Sequence, residues 1–157
     1  MKKAILFLLT TLLCSSLFAW EFSKAGNLVT VLANAKSTFV SYYSAAPWFD
    51  PEAEELHLVI NEGITSIEPS CFAGSKNIVS VTIPDSCKVI KQGAFANCPN
   101  LQHVSIPTST KIVIEDKAFY DCPNLTPVIT GSNTVLGKDV FGLSKPKVGT
   151  VQSVIRG

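Results

Sequence analysis

The side chains in this 157-residue chain that could do chemistry are two histidines, five cysteines and a scatter of serines and threonines. His57 and His103 are separated by two equal intervals, with Ser80 midway between them. An imidazole can ligate a metal or carry a proton, but either role needs partners: further ligands on the same ion, or an acid that orients the ring. None of the cysteines (Cys14, Cys71, Cys87, Cys98 and Cys122) forms a C-x-x-C pair, so the spacing gives no support for zinc. Gly137-Lys138-Asp139 lacks the upstream glycine and the following Ser/Thr of a phosphate loop. Ser144 and Lys147 have the S-x-x-K spacing, but the chain has no S-D-N or K-T-G partner for them, and Pro146 lies between the two. Asn124-Leu125-Thr126 is a glycosylation sequon, which matters only in a glycosylating host. The sequence therefore nominates no catalytic residue, no metal site and no cofactor.

These residues are spaced as they are because the chain repeats. Ile67–Phe72 (IEPSCF), Ile90–Phe95 (IKQGAF) and Ile114–Phe119 (IEDKAF) follow one another at intervals of 23 and 24 residues. Phe95-Ala96-Asn97-Cys98-Pro99-Asn100-Leu101 matches Phe119-Tyr120-Asp121-Cys122-Pro123-Asn124-Leu125, and Val81-Thr82-Ile83-Pro84 matches Val104-Ser105-Ile106-Pro107. Leu58-Val59-Ile60 and Leu136–Phe141 are degenerate copies at the two edges. Within each unit, alternation such as Val104/Ile106 predicts a short half-buried strand that ends at a proline. A second extended stretch, Lys111–Ile114 in one copy, follows, and then an Ala-Phe pair expected on a single helical turn. One unit cannot bury its own apolar face, so the units must stack in register about 4.8 Å apart.

That frame locates the reactive side chains. His57, Ser80 and His103 share one repeat position pointing outward from the first sheet, and two rungs separate the histidines by about 10 Å, too far to share an ion. The outward face of this sheet (His57, Val59, Ser80, Thr82, Gln102, His103 and Ser105) is a small-to-polar, weakly charged patch and the candidate ligand face. Cys98 and Cys122 occupy one position on adjacent rungs. A disulfide between them is geometrically conceivable, but the preferred reading is a small buried apolar residue demanded by the repeat, as for Cys71 and Cys87. Phe72, Phe95 and Phe119 form a core column, and Trp48 is expected to plug the cap.

Apolar residues are 46% of the chain and charged residues 16%, part of that excess lying in Ala4–Leu13 behind Lys2 and Lys3. A basic start, a short apolar run and Ala19 describe a secretory leader, with cleavage expected after Ala19 and Ser16 as the fallback. Lipid attachment at Cys14 is a further alternative, disfavoured by the bulky Leu13. Losing Lys2 and Lys3 leaves 11 basic against 12 acidic residues, a net charge of −1. No basic face suggests nucleic acid, and no second apolar run is long enough to span a membrane.

The pattern I-x-x-x-A-F-x-x-C-x-x-L-x-x-V-x-I-P resembles the BspA-like, treponeme-type leucine-rich repeat, carried fully by residues 67–130 and partially by 56–66 and 131–141. Gly26–Val31 and Ala46-Pro47-Trp48-Phe49 are similar to that family's N-terminal cap. Cys71, Ser75 and Glu55 depart from the template and put the packing of the first full repeat in doubt. The resemblance implies a repeat solenoid: a short right-handed leucine-rich-repeat stack, mostly β with single helical turns and an N-terminal β cap. Its divisions are a leader over 1–19, a cap over 20–55, repeats over 56–143 and a C-terminal cap or tail over 144–157. It also implies an exported protein (in the periplasm, at the cell surface or secreted) that binds a protein or glycan partner on a surface without catalysis. Self-association through the solenoid ends is the alternative.

Overall fold

The computed structural model describes residues 20–33, 39–40 and 54–144. The leader with Cys14 and its cleavage site, the Ala46–Phe49 turn with Trp48, and the tail from Lys145 lie outside the described residues. Each rung has three sides. One belongs to a sheet ordered β1 (Trp20–Ala25), β2 (Leu28–Ala33), β4 (Leu56–Ile60), β6 (Ile78–Thr82), β8 (His103–Ser105). The second belongs to a sheet of two-residue strands ordered β10 (Val135–Leu136), β9 (Val113–Ile114), β7 (Val89–Ile90), β5 (Ser66–Ile67), β3 (Phe39–Val40). The third side is a column of turns.

The repeat sets the register. Leu58, Val81 and Val104 are successive partners in the first sheet, as are Ile67, Ile90 and Ile114 in the second. Among the described residues every pairing between rungs is parallel, and only β1 and β2 pair antiparallel, through the turn at Gly26 (φ +59°) and Asn27. This hairpin, which includes Gly26–Val31, forms the N-terminal β cap. The interior is filled by the equivalent residues of each rung, including Ile64, Ile67, Phe72, Ile90, Phe95, Ile114 and Phe119, all fully buried. Phe72, Phe95, Phe119 and Phe141 stack face to face with centroids 4.8, 5.2 and 5.7 Å apart. These separations lie within the roughly 4.5–7 Å centroid range that aromatic pairs favour, and the rung spacing sets them here.

The single helical turn expected after each Ala-Phe pair is absent: the described residues contain no helix. Each rung instead makes successive three-residue turn bonds, for example Cys71 N–H to Glu68 C=O, Ala73 N–H to Ser70 C=O and Ser75 N–H to Phe72 C=O. Two residues per rung, four apart, take positive φ: Ser70/Gly74, Gly93/Asn97, Lys117/Asp121 and Asp139/Leu143, all between 51° and 74°. Left-handed residues at that spacing stop a helix from propagating. They also turn alternate peptide planes parallel to the solenoid axis, so that N–H groups all face the following rung. Ser70, Phe72 and Gly74 donate to Gln92, Ala94 and Ala96; Gly93, Phe95 and Asn97 to Asp116, Ala118 and Tyr120; Lys117, Phe119 and Asp121 to Lys138, Val140 and Gly142. Donor–acceptor distances along this ladder are 2.8–3.1 Å.

Candidate functional site

The first sheet carries the candidate site, because its strands put alternate side chains outward. In β4, Leu56, Leu58 and Ile60 are buried, while His57 is exposed and Val59 half-buried. In β6, Val81 is buried beneath half-buried Ser80 and exposed Thr82. His103 and Ser105 of β8 are exposed, as is Gln102 just before it. His57 pairs in register with Ser80, and Ser80 with His103, so the expected column exists.

The column is hydrogen-bonded. His57 Nδ1 lies 2.7 Å from Ser80 Oγ, and His103 Nδ1 lies 3.1 Å from Thr126 Oγ1 on the next rung. The Thr126 hydroxyl donates its proton to Gln102 C=O at 2.6 Å. His103 Nδ1–H must therefore be the donor toward Thr126, which leaves the Nε2 lone pair of the neutral ring facing solvent. No carboxylate bonds either imidazole among the described residues, so neither ring is oriented as a general base. The same residues hold no group of three or more His, Cys, Asp or Glu that could bind a metal.

The face is not uniform along the stack. Beneath β8 a cleft of about 480 Å³ is lined by His103, Val104, Ser105, Ile106, Thr108, Thr126, Pro127 and Ile129. Its upper wall is β8, and its lower wall is the fourth rung, which forms no strand at this position. Thr126 N–H still reaches Gln102 C=O at 2.8 Å. Pro127 then holds φ near −65°, well short of the roughly −120° of a parallel strand, and the chain leaves the ladder. It returns at Gly131, packed so tightly that a Cβ there would lie 2.1 Å from Thr108 C=O. Between these two pins Val104 loses the full burial of its counterpart Val81, and Ile129 is left 76% exposed.

The cysteines lie elsewhere and do something the repeat pattern alone did not reveal. All four among the described residues are free and buried. Ser75, Cys98, Cys122 and Ser144 form one column. Cys98 Sγ donates to Phe72 C=O and Cys122 Sγ to Phe95 C=O, both at 3.2 Å, and Ser144 Oγ donates to Phe119 C=O at 2.7 Å. Ser144 Oγ also accepts Cys122 N–H at 2.9 Å. The position thus selects a small side chain that bridges two backbones, and thiol and hydroxyl both qualify. Ser75, a departure from the template, is fully buried and donates to Phe72 C=O at 2.7 Å. Cys71 is fully buried as well, so the first full repeat packs as tightly as its neighbours. The neighbouring Cys122 thiol and burial push the Cys98 thiol up; burial raises Cys71, and it raises Cys87 to about 11.

Several charged side chains tie rungs together. Lys91 Nζ lies 2.7 Å from Glu68 Oε2 of the preceding rung, and Ser66 Oγ donates to Glu68 Oε1 at 2.6 Å. Burial raises the Glu68 carboxyl, but these two hydrogen bonds outweigh it and hold the group below its usual value. Glu62 accepts Asp85 N–H and Ser86 N–H at 3.0 and 3.2 Å. Lys138 of the Gly137-Lys138-Asp139 segment gives its N–H to Asp116 Oδ1 of the preceding rung at 2.7 Å. Exposed Asn124 of the sequon gives its amide to Pro99 C=O at 2.8 Å.

Comparison with known proteins bears on the fold. The family described as BspA type leucine rich repeat region matches residues 53–152 in six copies. Among solved structures, the T. pallidum leucine rich repeat protein is similar with a TM-score of 0.53 at 20% identity, over 78% of this chain and 52% of that one. A leucine-rich repeat protein from Eubacterium ventriosum has a TM-score of 0.43 at 19% identity, over 73% of this chain and 42% of its own. The chain thus spans about half the length of these structures or less. No curated protein sequence matches it.

Proposed function

Since the chain belongs to the BspA-type leucine-rich repeat family, we propose that it is a non-catalytic binding module working outside the cytoplasm, adhesin-like in using the outward face of the first sheet to hold a protein or glycan surface. The observation that carries this reading is the face itself. His57, Ser80, Thr82, Gln102, His103 and Ser105 present short polar groups on a rigid ladder without a single formal charge. Such a flat patch suits a macromolecular surface better than a small molecule. The basic start and apolar run at the N-terminus support export, and among the described residues no helix is long and apolar enough to cross a membrane. Sequencing the N-terminus of the protein recovered from its cells tests the export reading: Trp20 supports it, and an intact Met1 sinks it.

The binding test is a pull-down from the protein's natural surroundings, run beside the double variant Thr82→Glu, His103→Glu. The expected outcome is that the variant folds but loses the partner. A variant that retains the partner moves the contact off this face.

A second reading, self-assembly through the solenoid end, draws on the fourth rung. Val135 and Leu143 are exposed there, and the N–H groups of Asp139, Phe141 and Leu143 meet no acceptor among the described residues. A mass in solution that stays monomeric across concentration argues against it.

A further inference from the structure

The cleft beneath β8 departs from the flat face around it. We infer that it is a strand-addition site, which takes an extended, uncharged segment of a partner polypeptide alongside β8. This rests on the reading of the first sheet as a protein-binding face and names the element of the partner that it holds.

The argument starts from backbone groups. Ser105 C=O accepts Ile83 N–H at 2.9 Å, so the polar groups of Ser105 face β6. Alternation along a strand then aims the N–H and C=O of Val104 and Ile106 the other way, into the cleft. At the equivalent edge of β6 these groups are taken by β8. Here the fourth rung has turned away at Pro127, and after Thr126 N–H to Gln102 C=O no backbone bond joins it to β8. Among the described residues these groups have no backbone partner, and such an edge at strand spacing is complementary to another extended backbone. A sugar ring matches neither that spacing nor that alternation.

Side chains set the kind of segment. The lining has no carboxylate, ammonium or guanidinium, so charge complementarity favours an uncharged segment. Val104, Ile106, Pro127 and the 76% exposed Ile129 offer a slot for one apolar side chain. His103 Nε2, Ser105 and Thr108 stand at the rim to meet the partner's polar groups. The two pins at Thr126 and Gly131 keep the slot open without a ligand, so a guest need not first displace the fourth rung.

The test uses the full chain and a phage-displayed library of random dodecapeptides as the probe. Enriched peptides should be uncharged over four or five residues, and binding should slow deuterium exchange at the Val104 and Ile106 amides at least tenfold. Pro127→Val lets the fourth rung extend onto β8. It should raise the melting temperature while lowering peptide affinity at least tenfold, and Ile129→Glu should lower affinity with melting unchanged. Lys24→Glu on β1, four strands away from β8 in the sheet, should leave peptide affinity within twofold. Three results would overturn the proposal: no enrichment over an unrelated protein, equal binding to Pro127→Val, or unchanged exchange at Val104 and Ile106. Loss of binding in Thr82→Glu with retention in Pro127→Val would overturn the cleft while keeping the flat face as the contact. Loss of cleft binding with natural-partner capture intact would separate the two in the same way.

Discussion

The turn side and the first sheet use the same four rungs and fare differently at the fourth. On the turn side three backbone hydrogen bonds between successive rungs and the phenylalanine stack run unbroken from Ser70 to Phe141. On the first sheet the ladder stops after β8, because Pro127 turns the chain aside. The difference shows which side holds the register. With the phenylalanines and peptide rows fixing the rung spacing, the sheet can open locally without the stack coming apart, and an opened sheet is where a binding surface gains relief.

If the turn side holds the register, damage there should cost most. Phe95→Ala removes the middle of the stack and should cost about 3–5 kcal/mol, while Phe141→Ala, at the half-buried end, should cost about half as much. Urea denaturation measures both, and equal losses would contradict a stack that gains from neighbours on two faces. Next comes the bridging column: Cys122→Val strands the buried Phe95 carbonyl and should lose about 1–3 kcal/mol. Cys122→Ser should hold most of that stability, because a hydroxyl also donates. A serine variant no better than valine would show that the position is merely apolar.

The left-handed positions give an effect of opposite sign. Ser70→Gly relieves a positive φ and should stabilise by up to about 1 kcal/mol, whereas Gly93→Ala should destabilise by a similar amount, as thermal melting would record. The smallest effect belongs to the second sheet. Lys91→Met removes a partly exposed ion pair and should cost less than about 1 kcal/mol at neutral pH. Because the Glu68 carboxyl is held below its usual value, the pair's contribution is present above that usual value and fades as pH falls through the lowered one. Wild type and Lys91→Met should therefore converge in acid, and a gap that persists would place the contribution in the lysine's packing.

Much of this architecture was legible because a solenoid writes its period into the chain. The near-constant spacing of Ile67, Ile90 and Ile114 placed the second sheet, and the His57–Ser80–His103 interval placed the outward column. The turns were misread as helix because an Ala-Phe pair is compatible with one. Gly74, Gly93, Asn97, Asp121 and Asp139, all tolerant of positive φ, carried the signal, but Ser70, Lys117 and Leu143 masked its four-residue spacing. The bridging role of Cys98 and Cys122 hid behind their apolar neighbours, and only the replacement by Ser75 and Ser144 hinted at a donor. The cleft was not readable at all. Pro127 was visible, but its effect depends on Gly131 resting on Thr108, a contact between rungs that no local pattern expresses.

The parallel peptide rows of the turn side give the whole module an electrical direction. Each aligned peptide contributes a dipole of about 3.5 D, and successive rungs add theirs head to tail, as a helix does along its own axis. The C-terminal end therefore gathers partial positive charge and the N-terminal end partial negative charge, independent of any side chain. Two such modules can extend one another only when joined in the same sense. Butted C-terminus to C-terminus they would set donor against donor, so engineered fusions of this scaffold should elongate as tandem copies and resist mirror-paired ones.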